Sequence, residues 1–209
     1  IGLGRLGHPV EFASRYAHDR YGDMIAEHLS REQLLSITEG TDGAEHTSTA
    51  KATLSASGAA TYEFDLDWDV AAALDDAPVG HLHTGSIGAT VQPGAAAVLA
   101  AVQRASRTGT VSYDPNARPT LMGEPDNARA TVERIIALCD VVKASDEDIA
   151  WLYPDLGLRD VLRHWGELGA SLVVATAGAD GVHVFVPRST EYTHLPAGTA
   201  GVVDTVGAG

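Results

Sequence analysis

The chain has 209 residues, 44% of them hydrophobic and 20% charged, with 14 basic against 28 acidic side chains for a formal net charge of −14. This is the balance of a folded globular domain, which excludes a disordered chain, and so acidic a surface argues against nucleic acid and anionic membranes as partners. The lone Cys139 excludes an internal disulfide and a cysteine-rich zinc site, and no stretch reaches membrane-span length, so a reducing cytoplasm is the expected setting.

In chain order, apolar runs alternate with helical patterns. "IGLGRLG" (1–7) satisfies G-x-G-x-x-G, but a helical lead-in comes first and Pro9 opens a strand afterwards, the reverse of the strand-then-helix order that a dinucleotide needs. Gly7 suits a helix C-cap, and the small residues suit close helix packing. "PVEFASRY" (9–16) predicts a strand, and "YGDMIAEHL" (21–29) a helix with Met24, Ile25 and Leu29 on one stripe. In "TYEFDLDWD" (61–69), apolar and acidic residues alternate, which predicts a one-sided strand; with "HTSTAKATLSAS" (46–57) and a turn at Gly58 it makes a hairpin outside the main sheet. From composition that hairpin reads as a bare sheet edge, the alternative being a cover over a site.

From residue 79 onward the alternation is regular. Strands are predicted at 79–86, 110–114, 140–145 and 171–176, the last as a β-branched run buried on both faces. Between them lie an Ala-rich helix opened by Pro93, a helix at 126–139 with an Asp cap, one at 145–153 with a Ser cap and acidic first turn, and one at 158–168. This order predicts parallel β-α-β units, with helices over the sheet.

Ligands of an open parallel sheet bind beyond the carboxyl ends of its strands. Four polar clusters fall there: Asp114, Asn116 and Arg118; Lys143, Ser145 and Asp148; Thr176, Gly178 and Gly181; and "DTVGAG", with Asp204 and Thr205 ahead of Gly207, Ala208 and Gly209. If the last run starts a helix, its unpaired amides form an anion hole for a phosphoryl group; the other reading is a plain glycine turn. His81 and His83 share one strand face, and a third metal ligand is missing from their neighbourhood in sequence.

"VVDTVGAG" resembles the second signature of the ribokinase-like (PfkB) carbohydrate kinases, D-T-x-G-A-G-D, short of its final Asp. "LGRLGHPVEFASRYAHDRYG" resembles the stretch after the family's first signature, with Ala17 in a usual Gly place and Asp19 and Gly22 kept. "DPNARP" resembles the fructokinase-like D-P-N-x-R-P, "VVKASDEDIAWLYP" the segment of the N-x-x-E magnesium motif, and "VVATAGADG" the T-x-G-x-x-G nucleotide loop.

The resemblance implies a three-layer α/β/α sandwich with a mostly parallel central sheet and a small β-hairpin lid: core at 1–45, lid at 46–66, and core with a nucleotide-binding edge at 67–209. It implies ATP and Mg2+ as cofactors and a small sugar as substrate, fructose first. Gly207, Ala208 and Gly209 would line the anion hole. Thr176, Gly178, Gly181, Lys143, Asp204 and Thr205 would meet the nucleotide, though Lys143 equally suits a solvated strand end. Asp114, Asn116 and Arg118 would stand at the phosphate and sugar junction. Ser145 and Asp148 would replace the Asn and Glu that organise magnesium through water, leaving one, shorter, carboxylate.

The family's catalytic base follows the last Gly of its signature, a place just beyond Gly209, so no base is assigned and these residues alone are expected to be inactive. Both ends read as cuts, since Ile1 falls inside a helical pattern. A nucleoside kinase of the same family, or a non-catalytic binding or assembly piece, remains an alternative, and the lid strands offer a route to a homodimer.

Overall fold

The computed structural model describes residues 1–54, 60–74 and 79–198. The chain divides into two compact units, Ile1–Asp75 with Gln92–Ala97, and Asp76–Val91 with Val98–Gly209.

The first unit opens with α1 (Gly2–Arg5), β1 (Val10–Phe12), α2 (Arg20–Ser30) and β2 (Leu35–Ile37), the two strands pairing in parallel. The strand expected over 9–16 stops at Phe12, because the next residues turn their amides to a loop: Ser14 donates to Thr41 Oγ1 and Tyr16 to the Thr41 carbonyl. α1 ends at Leu6, with Gly7 at φ +91° as the left-handed residue beyond it. The close packing expected of its glycines is not found: α1 has no buried residue, and a Cβ on Gly2 would meet nothing within 4 Å. In α2 the expected stripe reduces to Leu29, with Met24 and Ile25 exposed among the described residues.

β3 (Thr49–Leu54) and β4 (Ala60–Asp65) form an antiparallel hairpin and a two-stranded sheet of their own, as its alternating sequence predicts. Its foot is tied by Asp19. One oxygen of that carboxylate caps α2 at Tyr21 and Gly22 and accepts from Thr47 Oγ1, and the other accepts from the Thr47 amide. A Cβ on Gly22 would lie 1.7 Å from the Ala17 carbonyl oxygen, so only glycine admits this approach. Both residues belong to the quoted stretch after the first signature, and their visible work is to join helix to hairpin.

In the second unit β5 (His81–Gly85) leads to α3 (Ser86–Thr90), α4 (Gly94–Thr108), which begins in the first unit, and β6 (Thr110–Asp114). α5 (Pro119–Met122), α6 (Pro125–Ile136), β7 (Val141–Ser145), α7 (Asp146–Leu152), α8 (Leu158–Leu168) and β8 (Leu172–Thr176) follow. β9 (Val182–Val186) and β10 (Glu191–Leu195) close the described chain. The sheet order is β10-β9-β8-β7-β6-β5, parallel from β5 to β8 and antiparallel at the β9–β10 hairpin.

α6 begins differently from expectation. Pro125 takes its first turn after Glu124, and Asp126 pairs with Arg129 instead of capping.

One sheet face forms the core. Val111, Tyr113, Val142, Ala144, Val173 and Ala175 are at most 1% exposed, while their neighbours Ser112, Lys143, Val174 and Thr176 are only half-buried among the described residues. The run at 171–176 is therefore fully buried on one face, not both. α8 covers this core through Val161, Leu162 and Trp165, all 0% exposed. Trp165 Nε1 donates to Tyr153 Oη, which donates to Glu133 Oε1, so neither of these two polar tips is left unpaired.

Candidate active site

Register brings three predicted clusters to one sheet edge. Gly85 pairs with Asp114, Tyr113 with Val142 and Ser145 with Thr176, so the carboxyl ends of β5 to β8 finish side by side. Asp114 and Lys143 leave the same face of adjacent strands and form an ion pair, Nζ to Oδ2 at 3.2 Å. Lys143, still partly exposed, is thus engaged; it neutralises the carboxylate that organises the next loop.

That loop is "DPNAR". Asp114 Oδ1 accepts from the Asn116 amide at 3.0 Å, a turn that holds Asn116 at φ +37°. Arg118 Nη1 donates to the Asn116 carbonyl, the Asn116 Oδ1 and the Ala117 carbonyl, at 3.0, 3.0 and 2.8 Å. This occupies Nη1 of the guanidinium, while its Nε and Nη2 make no hydrogen bond among the described residues. Ser86 supports the loop from the start of α3, its Oγ donating to the Asn116 carbonyl at 3.1 Å.

The Ser145 and Asp148 pair closes the arrangement from α7. Ser145 Oγ accepts from the Asp148 amide at 3.0 Å and Asp148 Oδ2 from the Ser145 amide at 3.2 Å, a reciprocal cap. Asp148 Oδ1 accepts from the Ala117 amide at 2.8 Å. Both oxygens already serve backbone donors, which is a poor starting point for holding a cation. Each Asp148 oxygen is left with one lone pair, so the pair fits direct magnesium ligation poorly.

The third cluster lies beyond β8. Thr176 Oγ1 donates to the Ala144 carbonyl at 3.5 Å, linking it to β7. Gly178 (φ +51°) and Gly181 (φ +94°) bracket a 3-10 turn, Gly178–Asp180, whose exposed side is open: a Cβ on Gly178 would meet nothing within 4 Å. An open glycine turn on the ligand edge of the sheet fits the approach of a nucleotide to bare backbone. Asp204, Thr205, Gly207, Ala208 and Gly209 lie outside the described residues.

Sequence reasoning missed the support behind this turn. His194 Nε2 donates to the Asp180 carbonyl at 2.6 Å, and its ring stacks on His183 at 4.4 Å. The alternation in "VHVFV" and "EYTHL" around "PRST" was a legible hairpin signal. His81 and His83 are held through hydroxyls: both bond Ser112 Oγ at 2.8 Å, and His81 also bonds Thr110 Oγ1. Burial lowers the His83 pKa, with Asp114 opposing. Burial also raises the pKa of the Tyr113 hydroxyl, which has no hydrogen-bond partner among the described residues.

Comparison with known proteins then decides the family. The model of the pfkB family carbohydrate kinases matches residues 1–209. The chain belongs to that family. As a pfkB carbohydrate kinase, it is 31% identical over its whole length to a fructokinase of Klebsiella pneumoniae, of which it covers 70%. It is 32% identical to one of Rhizobium leguminosarum bv. trifolii, of which it covers 65%. A crystal structure of the Vibrio cholerae O395 fructokinase in its fructose, ADP and calcium ion bound form superposes with a TM-score of 0.83 at 28% identity, over 99% of this chain and 69% of that one. The expected fold class, a ribokinase-like α/β fold with a mostly parallel sheet, is the one found, and in sequence and fold this pfkB member is fructokinase-like.

Proposed function

We propose that the protein is an ATP-dependent fructokinase, moving the γ-phosphoryl group of ATP to a primary hydroxyl of fructose. The observation that carries the reading is the convergence of Asp114, Asn116, Arg118 and Lys143 at one edge, on the loop whose sequence is fructokinase-like. ATP supplies the phosphoryl group and its leaving ADP. The chain's own part is binding and alignment: the turn at Gly178–Gly181 receives the nucleotide, Arg118 offers its remaining N–H groups to phosphate oxygens, and Asn116 is held ready for a substrate hydroxyl. No residue of 1–209 is assigned the proton-accepting role.

The same reading gives the β3–β4 hairpin the lid role that the family resemblance implies, supported by its forming a two-stranded sheet of its own among the described residues, and sets the enzyme in the cytoplasm. Among the described residues no helix is long and apolar enough to cross a membrane.

The test is an ADP-release assay on the intact protein across fructose, ribose, other hexoses and adenosine. Fructose-dependent release is expected. Release with adenosine alone would make it a nucleoside kinase, and none with any acceptor would leave a binding or assembly role.

A further inference from the structure

We propose that Asp148 is a positioning residue, which locks the Asp114–Arg118 loop to the first turn of α7, instead of an organiser of a divalent cation. Three bonds carry this. Oδ1 receives the Ala117 amide at 2.8 Å, Oδ2 the Ser145 amide at 3.2 Å, and Ser145 Oγ returns the Asp148 amide at 3.0 Å. The two accepted amides lie on separate segments, one after β6 and one at the end of β7, so the carboxylate is a bridge between strand tips. Its single methylene leaves no slack to swing outward while both bonds persist.

Ala117 is 8% exposed and sits between Asn116, at φ +37°, and Arg118, which grips the Asn116 and Ala117 carbonyls. Fixing the Ala117 amide therefore fixes the two residues that the kinase reading, on which this inference rests, assigns to substrate. The N3 position of α7 accounts for only the Ser145 half of this geometry. The bond to Ala117 is additional, and a helix cap does not require it.

The experiment uses Asp148→Asn and Ser145→Ala in the intact protein, read by amide hydrogen exchange and by magnesium titration. An amide group in place of the carboxylate cannot accept from both N–H groups, so Asp148→Asn should speed exchange at Ala117 or Ser145 by about tenfold, the worth of one hydrogen bond. Ser145→Ala, which keeps both acceptors, should leave Ala117 protected. Turnover in Asp148→Asn should fall while the magnesium concentration for half-maximal rate moves by less than about twofold.

In the wild type, the Asp148 carboxyl carbon should not shift in NMR spectra when magnesium and ADP are added, a readout that needs no variant to fold. Unchanged exchange at both amides, a magnesium requirement raised tenfold or more, or a shifted carboxyl carbon would each overturn the inference. An absence of sugar-dependent turnover in the wild type would instead sink the kinase reading, and the exchange data would still decide the role of Asp148.

Discussion

Gly178 and Gly181 stand three residues apart in one turn, both at positive φ, and the structure predicts very different outcomes for the same substitution. An alanine at Gly178 (φ +51°) enters left-handed helical space with nothing within 4 Å of its Cβ. Only the backbone term opposes it, about 1 kcal/mol. At Gly181, φ +94° and ψ −137° put alanine in a region that is essentially glycine's, at about 1–3 kcal/mol. The added Cβ would also lie 2.1 Å from the Leu195 carbonyl oxygen and 2.6 Å from the Ala197 amide nitrogen. Both are backbone atoms, so relief means displacing the end of β10 or giving up the 2.8 Å bond from the Ala177 amide to the Gly181 carbonyl. Overpacking of this kind adds about 1–3 kcal/mol. Gly181→Ala should therefore cost about 2–6 kcal/mol, and lower Tm by roughly 10 °C, against about 3 °C for Gly178→Ala. Thermal unfolding followed by circular dichroism measures both. Equal shifts for the two variants, or a Gly181→Ala protein within about 0.5 kcal/mol of the parent, would refute the reasoning.

Two other outcomes follow from ionisation. The Asp19 carboxylate is held down to about 2, first by the Gly22 amide and then by the Thr47 amide and hydroxyl. A depressed carboxylate stabilises the fold above its unfolded pKa, near 4, and that support drains as pH falls through about 2; an NMR titration should find the low value, and Asp19→Asn should remove the acid sensitivity of exchange at Thr47. A carboxyl titrating near 4 would contradict the geometry. Burial pushes the Cys139 thiol up to about 12, so the native protein should not react with a disulfide reagent at pH 8, whereas the urea-unfolded chain should react at once.

The parallel half of the sheet was legible because its signals are local. The β-branched run at 171–176 and the Ser145 cap with its acidic first turn each name an element by themselves. Two kinds of information were not local. The strand at 9–16 was cut short by a loop 27 residues away that captured the Ser14 amide through Thr41, a competition no window around Ser14 can register. The roles of Asp148 and Lys143 were equally hidden. Residue type marks each as a candidate for metal or phosphate, but the partners, the Ala117 amide and the Asp114 carboxylate, come from another strand.

Those two partnerships also bear on how, in the proposed reading, a chain of net charge −14 would prepare an edge for an anion. Charges farther than about 8 Å are largely screened at physiological salt, so the bulk acidity matters less than what stands within one or two bonds of the ligand. There, Asp114 is neutralised by Lys143 at 3.2 Å, and Asp148 is turned inward onto two amides. Asp148 keeps its charge but gives both oxygens to backbone amides, and in the proposed reading Arg118, which has no carboxylate partner among the described residues, is the cation that offsets it. On that reading, acidic residues in the site work as scaffolding for the loop that carries Arg118. Replacing Lys143 should consequently harm the site twice, by removing a charge and by releasing Asp114 from the geometry that holds Asn116.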